Sequence, residues 1–76
     1  MSPFLLEISE HANDRLKQRK VTRHLVRQCI VKGELVELHD NGREVRRIKV
    51  RSKILEAVYL PKKGGFILIT AYWTGE

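Results

Sequence analysis

The spacing of apolar residues changes once along this chain, at Gly33, and that change decides the fold class. Before it, apolar residues recur at helical intervals: Ala12 and Leu16 four apart, then Leu25, Val26, Cys29 and Ile30 on one face. After it they alternate, or run together in short β-branched and aromatic stretches, as strands do. Helices gathered at one end of the sequence and strands at the other predict an α+β domain: helices on one face of an antiparallel sheet. A chain of 76 residues holds one such domain, 1–76. That size buries roughly 60% of its unfolded surface, enough for a core with little surplus stability.

Local signals place the elements. Residues 4–8, Phe-Leu-Leu-Glu-Ile, read as a short strand or an extended lead-in. Ser9 is a helix N-cap, with Glu10 in the first turn where the helix dipole favours an acid, and the helix runs to about Arg19. Thr22 caps the second helix, with Val21 and Val26 at the two positions of a hydrophobic staple. Gly33 suits a left-handed residue that ends it. Strands are expected at 35–39, 44–50, 54–60 and 66–73. Asn41-Gly42 is the signal of a two-residue type I′ hairpin, which would set Glu37 opposite Arg46, and residues 61–65 form the next turn. The expected architecture is two N-terminal helices, with or without a short strand ahead of them, on a four-stranded antiparallel meander.

Several classes drop out. The longest uncharged apolar run, 66–73, is far short of the roughly 20 residues a membrane helix needs, and no secretory signal opens the chain. A single cysteine, Cys29, excludes an internal disulfide and a zinc site built on cysteine pairs. The three histidines show no metal-ligand spacing, and neither a phosphate-binding glycine loop nor a dinucleotide fingerprint is present. The expectation is a cytoplasmic protein without metal or cofactor.

Charge is segregated. The formal net charge is +6. Positions 15–32 hold seven basic residues and no acid, and positions 43–53 hold six basic residues and one acid, Glu44. Blocks of this kind suit a polyanion, because each phosphate neutralised releases condensed counterions. His11, Arg15 and Arg19, at i, i+4 and i+8, form a stripe beside the Ala12/Leu16 stripe. The imidazole can exchange a proton near neutral pH, and the guanidinium groups can grip a phosphate. Alternation in the last strand puts Ile67, Ile69, Ala71 and Trp73 on one face, the better core face. Phe66, Leu68, Thr70 and Tyr72 fall on the other, where two hydroxyls are available to a phosphate or base. In the second strand Arg47, Lys49 and Arg51 share a face opposite Arg46, Ile48 and Val50, and a basic face of this kind, with Lys20 nearby in the helical link, can track a nucleic-acid backbone without reading bases.

These motifs carry a resemblance. Ile8-Ser9-Glu10-His11-Ala12 followed by Arg15-Leu16 and Arg19, and the closing Ile67-Leu68-Ile69-Thr70-Ala71-Tyr72, resemble a family of small bacterial domains of unknown function with an HAxxRxxxR helix and an ITAY-like last strand. That family is similar in layout to the RelE/ParE and BrnT toxins, small domains with two helices on a curved antiparallel sheet. The resemblance implies a RelE-like fold and a toxin of the toxin–antitoxin type. It would be a metal-independent ribonuclease in which a 2′-hydroxyl attacks the adjacent phosphate. His11 would act as general acid or base, Arg15 and Arg19 would stabilise the phosphoryl oxygens, and Thr70 and Tyr72 would position the phosphate. Lys20, Arg46, Arg47, Lys49 and Arg51 would hold flanking RNA. The implied partners are RNA and an acidic antitoxin, and the last strand, 66–73, offers an edge for a homodimer. The alternative is a non-catalytic module of the same fold that binds nucleic acid or protein, including a gyrase inhibitor.

Overall fold

A computed structural model describes residues 5–74 of the chain. Phe4, read as the start of the lead-in, lies outside them. The elements are β1 (Leu5–Ile8), α1 (Glu10–Gln18), α2 (Arg23–Lys32), β2 (Glu34–Leu38), β3 (Glu44–Val50), β4 (Lys53–Lys62) and β5 (Gly65–Thr74). The five strands form one sheet in the order β1-β5-β4-β3-β2. The domain is α+β as expected, but the sheet is mixed: β1 joins it parallel to β5, Leu5 beside Gly65 and Ile8 beside Leu68. The four-stranded antiparallel meander is thus corrected to five strands. Parallel pairing joins the two ends of the chain, so no local pattern announces it. Gly65 permits it, because a Cβ there would meet the Leu5 carbonyl oxygen at 2.0 Å.

The helices form where the caps predict. Ser9 accepts a hydrogen bond from the Ala12 N–H at 3.1 Å, and Thr22 accepts one from the Leu25 N–H at 3.1 Å. α1 stops in a Schellman motif: the Val21 N–H reaches the Leu16 carbonyl at 2.9 Å and the Lys20 N–H reaches that of Lys17. Lys20 takes the left-handed position there, at φ 58°, where glycine is usual. Both helices pack on one face of the sheet, and Leu16, Val21, Val26, Cys29 and Ile30 are buried against Leu55, Ala57, Tyr59, Leu68 and Ala71. Fully burying each large aliphatic side chain is worth about 1.5–3 kcal/mol.

The turns differ from the expected ones. Gly33 has φ −73° and is extended rather than left-handed. Its missing Cβ matters for space, since one would sit 2.2 Å from the Cys29 carbonyl oxygen and 2.8 Å from that of Arg47. Between β2 and β3, Gly42 alone takes positive φ, and its N–H bonds the His39 carbonyl at 3.0 Å. This is a three-residue loop, a type I turn closed by a glycine bulge, instead of type I′. A second irregularity at Val36 sets Glu37 opposite Val45 and Leu35 opposite Arg46, so the expected Glu37–Arg46 pair does not form. The 61–65 turn shrinks to Lys63-Gly64, with Gly64 left-handed. Pro61 therefore lies inside β4, past the last β3 partner, Tyr59, where no ladder needs its missing N–H.

The last strand carries the correction with the most consequence. Tyr59 pairs with Leu68 and Val58 with Thr70, leaving Ile69 as an extra residue in a β-bulge. The bulge breaks the alternation. Phe66, Leu68, Ala71 and Trp73 now align with Pro61, Tyr59, Ala57 and Leu55 on the helix side, while Ile67, Thr70 and Tyr72 align with Leu60, Val58 and Glu56 on the open side. Simple period-2 counting put Ile67 and Ile69 in the core and Leu68 outside it. The edge is corrected as well: residues 65–68 of β5 are flanked by β1 and β4, and the sheet's edge strands are β1 and β2.

Candidate functional site

The open face of the sheet reads as transverse rows. Arg47 of β3 pairs with Glu56 of β4, and Glu56 with Tyr72 of β5, so one row crosses three strands. The side chains join: Arg47 donates through Nε at 3.1 Å and Nη2 at 2.6 Å to Glu56 Oε2, and the Tyr72 hydroxyl donates to Glu56 Oε1 at 2.9 Å. The Glu56 side chain keeps 12% of its exposure and that of Arg47 45%, so the row is open to solvent at the arginine. Burial, then the hydrogen bond to Glu56, push the Tyr72 phenol above its ordinary value and keep it protonated. The next row is Val45, Val58 and Thr70.

Arg19 reaches this face from the other side. β1 pairs with β5 only as far as Leu68. Among the described residues, the backbone of β5 beyond it has no strand neighbour on that flank, and Arg19 fills the gap. Its Nη1 donates to Thr70 Oγ1 at 3.1 Å and to the Ala71 carbonyl at 2.9 Å. The Arg19 carbonyl in turn accepts from Trp73 Nε1 at 2.8 Å. The C-terminal cap of α1 is thus clamped to the strand that carries Thr70 and Tyr72.

Of the residues named from sequence, the structure joins Arg19 to Thr70 and sets Tyr72 two positions further on, in the row with Arg47. His11 and Arg15 are exposed on α1, and their side chains have no hydrogen-bond or ion-pair partner among the described residues. At about 1.5 Å per residue, His11 stands about 12 Å from Arg19 along the helix axis. Lys20 is exposed in the link between helices, and Lys49 lies two positions from Arg47 on the open face. Arg46 faces the helices, as alternation predicts: Nε donates to the Tyr59 hydroxyl at 2.7 Å and Nη1 to the Gly33 carbonyl at 3.0 Å. Arg51 leaves the Arg47/Lys49 face. It sits in the β3–β4 turn at φ 60° and lines a cleft on the helix side.

Sequence reasoning missed Glu56. The signal was present in the turn: a two-residue connection at Arg51-Ser52, pairing Val50 with Lys53, fixes Arg47 opposite Glu56 by counting. A scan against family profiles matches residues 8–73 to a domain of unknown function, DUF4258. The chain belongs to the DUF4258 family. That match spans both helices and every strand bearing the residues above, so the row and the Arg19 clamp lie within the DUF4258 domain. Neither the comparison with curated proteins nor that with solved structures gives a match. Among the described residues, no group of three or more His, Cys, Asp or Glu is placed to hold a metal ion, and no helix is long and apolar enough to cross a membrane.

Proposed function

We propose that this domain is a toxin-like, metal-independent ribonuclease whose chemistry takes place on the open face of the sheet. The observation that carries the reading is the Arg47–Glu56–Tyr72 row with the Arg19–Thr70 pair beside it. A carboxylate, two guanidinium groups and a protonated phenol are what cleavage by an internal hydroxyl needs. Glu56 takes the proton of the ribose 2′-hydroxyl as that oxygen bonds to phosphorus. Arg47 and Arg19 meet the charge growing on the phosphoryl oxygens, with Thr70 holding one of them. The bond to the 5′ oxygen breaks, and the Tyr72 phenol supplies its proton. The products are a 2′,3′-cyclic phosphate and a free 5′-hydroxyl. His11 and Arg15, on the same helix as Arg19, meet the strand as it approaches, and Lys20, Lys49 and Arg51 hold its flanks. The kinship with RelE/ParE and BrnT toxins belongs to this proposal, supported by the order of helices and strands, as does an acidic antitoxin that would cover the cationic face.

The test is cleavage of single-stranded RNA by purified protein in excess chelator. Cleavage ending in a cyclic phosphate, absent with 2′-O-methyl RNA, is the expected result, and intact RNA removes the proposal. His11→Ala is assayed beside it. An equal rate is expected and leaves the imidazole to holding RNA, whereas a rate lowered at least tenfold would move the general acid or base from Glu56 or Tyr72 to His11.

One observation favours a second reading, a non-catalytic module that binds nucleic acid or protein, as a gyrase inhibitor would. Glu56 already accepts from both Arg47 nitrogens and from Tyr72. A carboxylate so fully engaged can serve as a cross-strand strut. This reading predicts salt-dependent binding without cleavage.

A further inference from the structure

On the helix side, the end of the sheet carries a second feature. A cleft of about 440 Å³ opens between Leu25 of α2, Val50, Trp73 and the β3–β4 turn, Arg51-Ser52 with Lys53. Its volume is within the range of small-molecule sites, roughly 300–1,000 Å³. The apolar lining is Leu25, Val50 and the Trp73 indole, and among the described residues the rim carries two cations and no acid. The indole is fixed, because its N–H is committed to the Arg19 carbonyl. The Lys53 ammonium stands 5.7 Å from the ring centroid. Arg51 is held at φ 60°, a strained position for a side-chain-bearing residue, in a two-residue turn where glycine would rest without strain.

We propose that this cleft is a nucleobase subsite for single-stranded RNA. A flat base enters between Leu25 and Val50, displaces the Lys53 ammonium from over the indole and stacks there, and the adjoining phosphates meet Arg51 and the displaced Lys53. Aromatic stacking beside a cationic track is how single strands are held without base-pairing. Lys49, Arg51 and Lys53 continue that track from the open face around the end of the sheet. At about 3.3 Å per residue, Ser52 is about 13 Å along β4 from Glu56, so a strand of a few nucleotides spans both places. The inference rests on the ribonuclease reading for its substrate class, and it adds where a base flanking the scissile phosphate is bound.

The protein contains one tryptophan, so tryptophan emission reports the surroundings of Trp73, and the abasic control separates base stacking from effects passed on through Arg19. The probe is a labelled 2′-O-methyl RNA tetranucleotide, which cannot be cut, followed both by Trp73 emission and by anisotropy of the label. Saturable change in emission, with binding weakened about tenfold or more when the bases are replaced by abasic sites, is the expected result. Arg51→Gly, whose backbone suits the turn, and Lys53→Gln each weaken binding several-fold and lower the salt slope by about 0.7. Binding seen by anisotropy without change at Trp73 overturns the inference. So do equal affinities for intact and abasic strands, unchanged affinity in both variants, or the same emission change from inorganic phosphate alone. Unmodified RNA left uncut while Trp73 responds removes the ribonuclease reading and leaves the cleft standing. RNA cut while Trp73 stays silent does the reverse.

Discussion

Two Arg–Glu–Tyr networks lie on opposite faces of the same sheet, and the contrast between them is one of burial. Arg46, Tyr59 and Glu44 face the helices; Arg47, Glu56 and Tyr72 face away from them. The residue types are the same and the two arginines are neighbours in sequence. On the helix side Tyr59 is fully buried, its ring meets Phe66 edge-on at 5.1 Å, and its hydroxyl both accepts from Arg46 and donates to Glu44. Arg46 spends another N–H on the Gly33 carbonyl and so ties β3 to the end of α2. Tyr59 spends its one hydroxyl proton on Glu44, so the phenol of this network is committed to the fold. On the open side Arg47 keeps about half of its surface, and an exposed ion pair of this kind is worth little, which leaves the arginine free to take the proposed phosphate.

Breaking the buried network has the largest expected effect on stability. Arg46→Ala strips Tyr59 and the Gly33 carbonyl of their donor and is expected to cost about 2–4 kcal/mol, whereas Arg47→Ala costs less than about 1 kcal/mol, both read from urea unfolding. Tyr59→Phe against Tyr72→Phe sharpens the same contrast. The first leaves Glu44 and Arg46 facing a ring edge and is expected to cost about 1–3 kcal/mol, the second under about 1 kcal/mol.

Alkaline pH probes the buried side next. Burial pushes the Cys29 thiol from 9.0 up to about 11, outweighing the lowering effect of its backbone hydrogen bonds, and burial and its Glu44 hydrogen bond raise Tyr59. A raised pKa means the native state holds its proton more tightly than the unfolded chain. The stability it confers is complete below pH 9 and is lost as pH climbs toward 11. Melting temperature is expected to hold to about pH 9 and then fall, and Cys29→Ala flattens the fall while lowering the whole curve. The smallest effect concerns the left-handed turn residue after α1. Lys20→Gly is expected to raise stability by up to about 1 kcal/mol, measured in the same unfolding assay, by relieving φ 58°.

Much of the helical half was legible in the sequence because its signals are local. Ser9 and Thr22 cap what their spacing says they cap, and Leu16, Val26 and Cys29 are buried where helical period puts them. The alternation of Arg46 and Arg47 was legible for the same reason. The sheet was not, because its decisive features are relations between distant segments. The bulge at Ile69 depends on how β4 and β5 meet, and it reverses the faces of Leu68 and Ile67. β1 finds β5 across sixty positions of sequence. Glu56 drew no notice because an acid in a strand declares nothing until its opposite number is known. Arg19 of the stripe hydrogen-bonds Thr70 of the last strand, while His11 lies too far up the helix for sequence spacing alone to assign its neighbours.

The most direct test compares the two carboxylates. Glu44→Gln and Glu56→Gln are measured for RNA cleavage in chelator and for thermal unfolding. A crossed result is expected: Glu56→Gln lowers the cleavage rate by about a hundredfold, as loss of a general base does, and leaves the melting temperature within a few degrees. Glu44→Gln lowers the melting temperature and leaves the rate per folded molecule unchanged. Equal cleavage by both variants, or a loss of rate in Glu56→Gln no greater than its loss of folded protein, would contradict it.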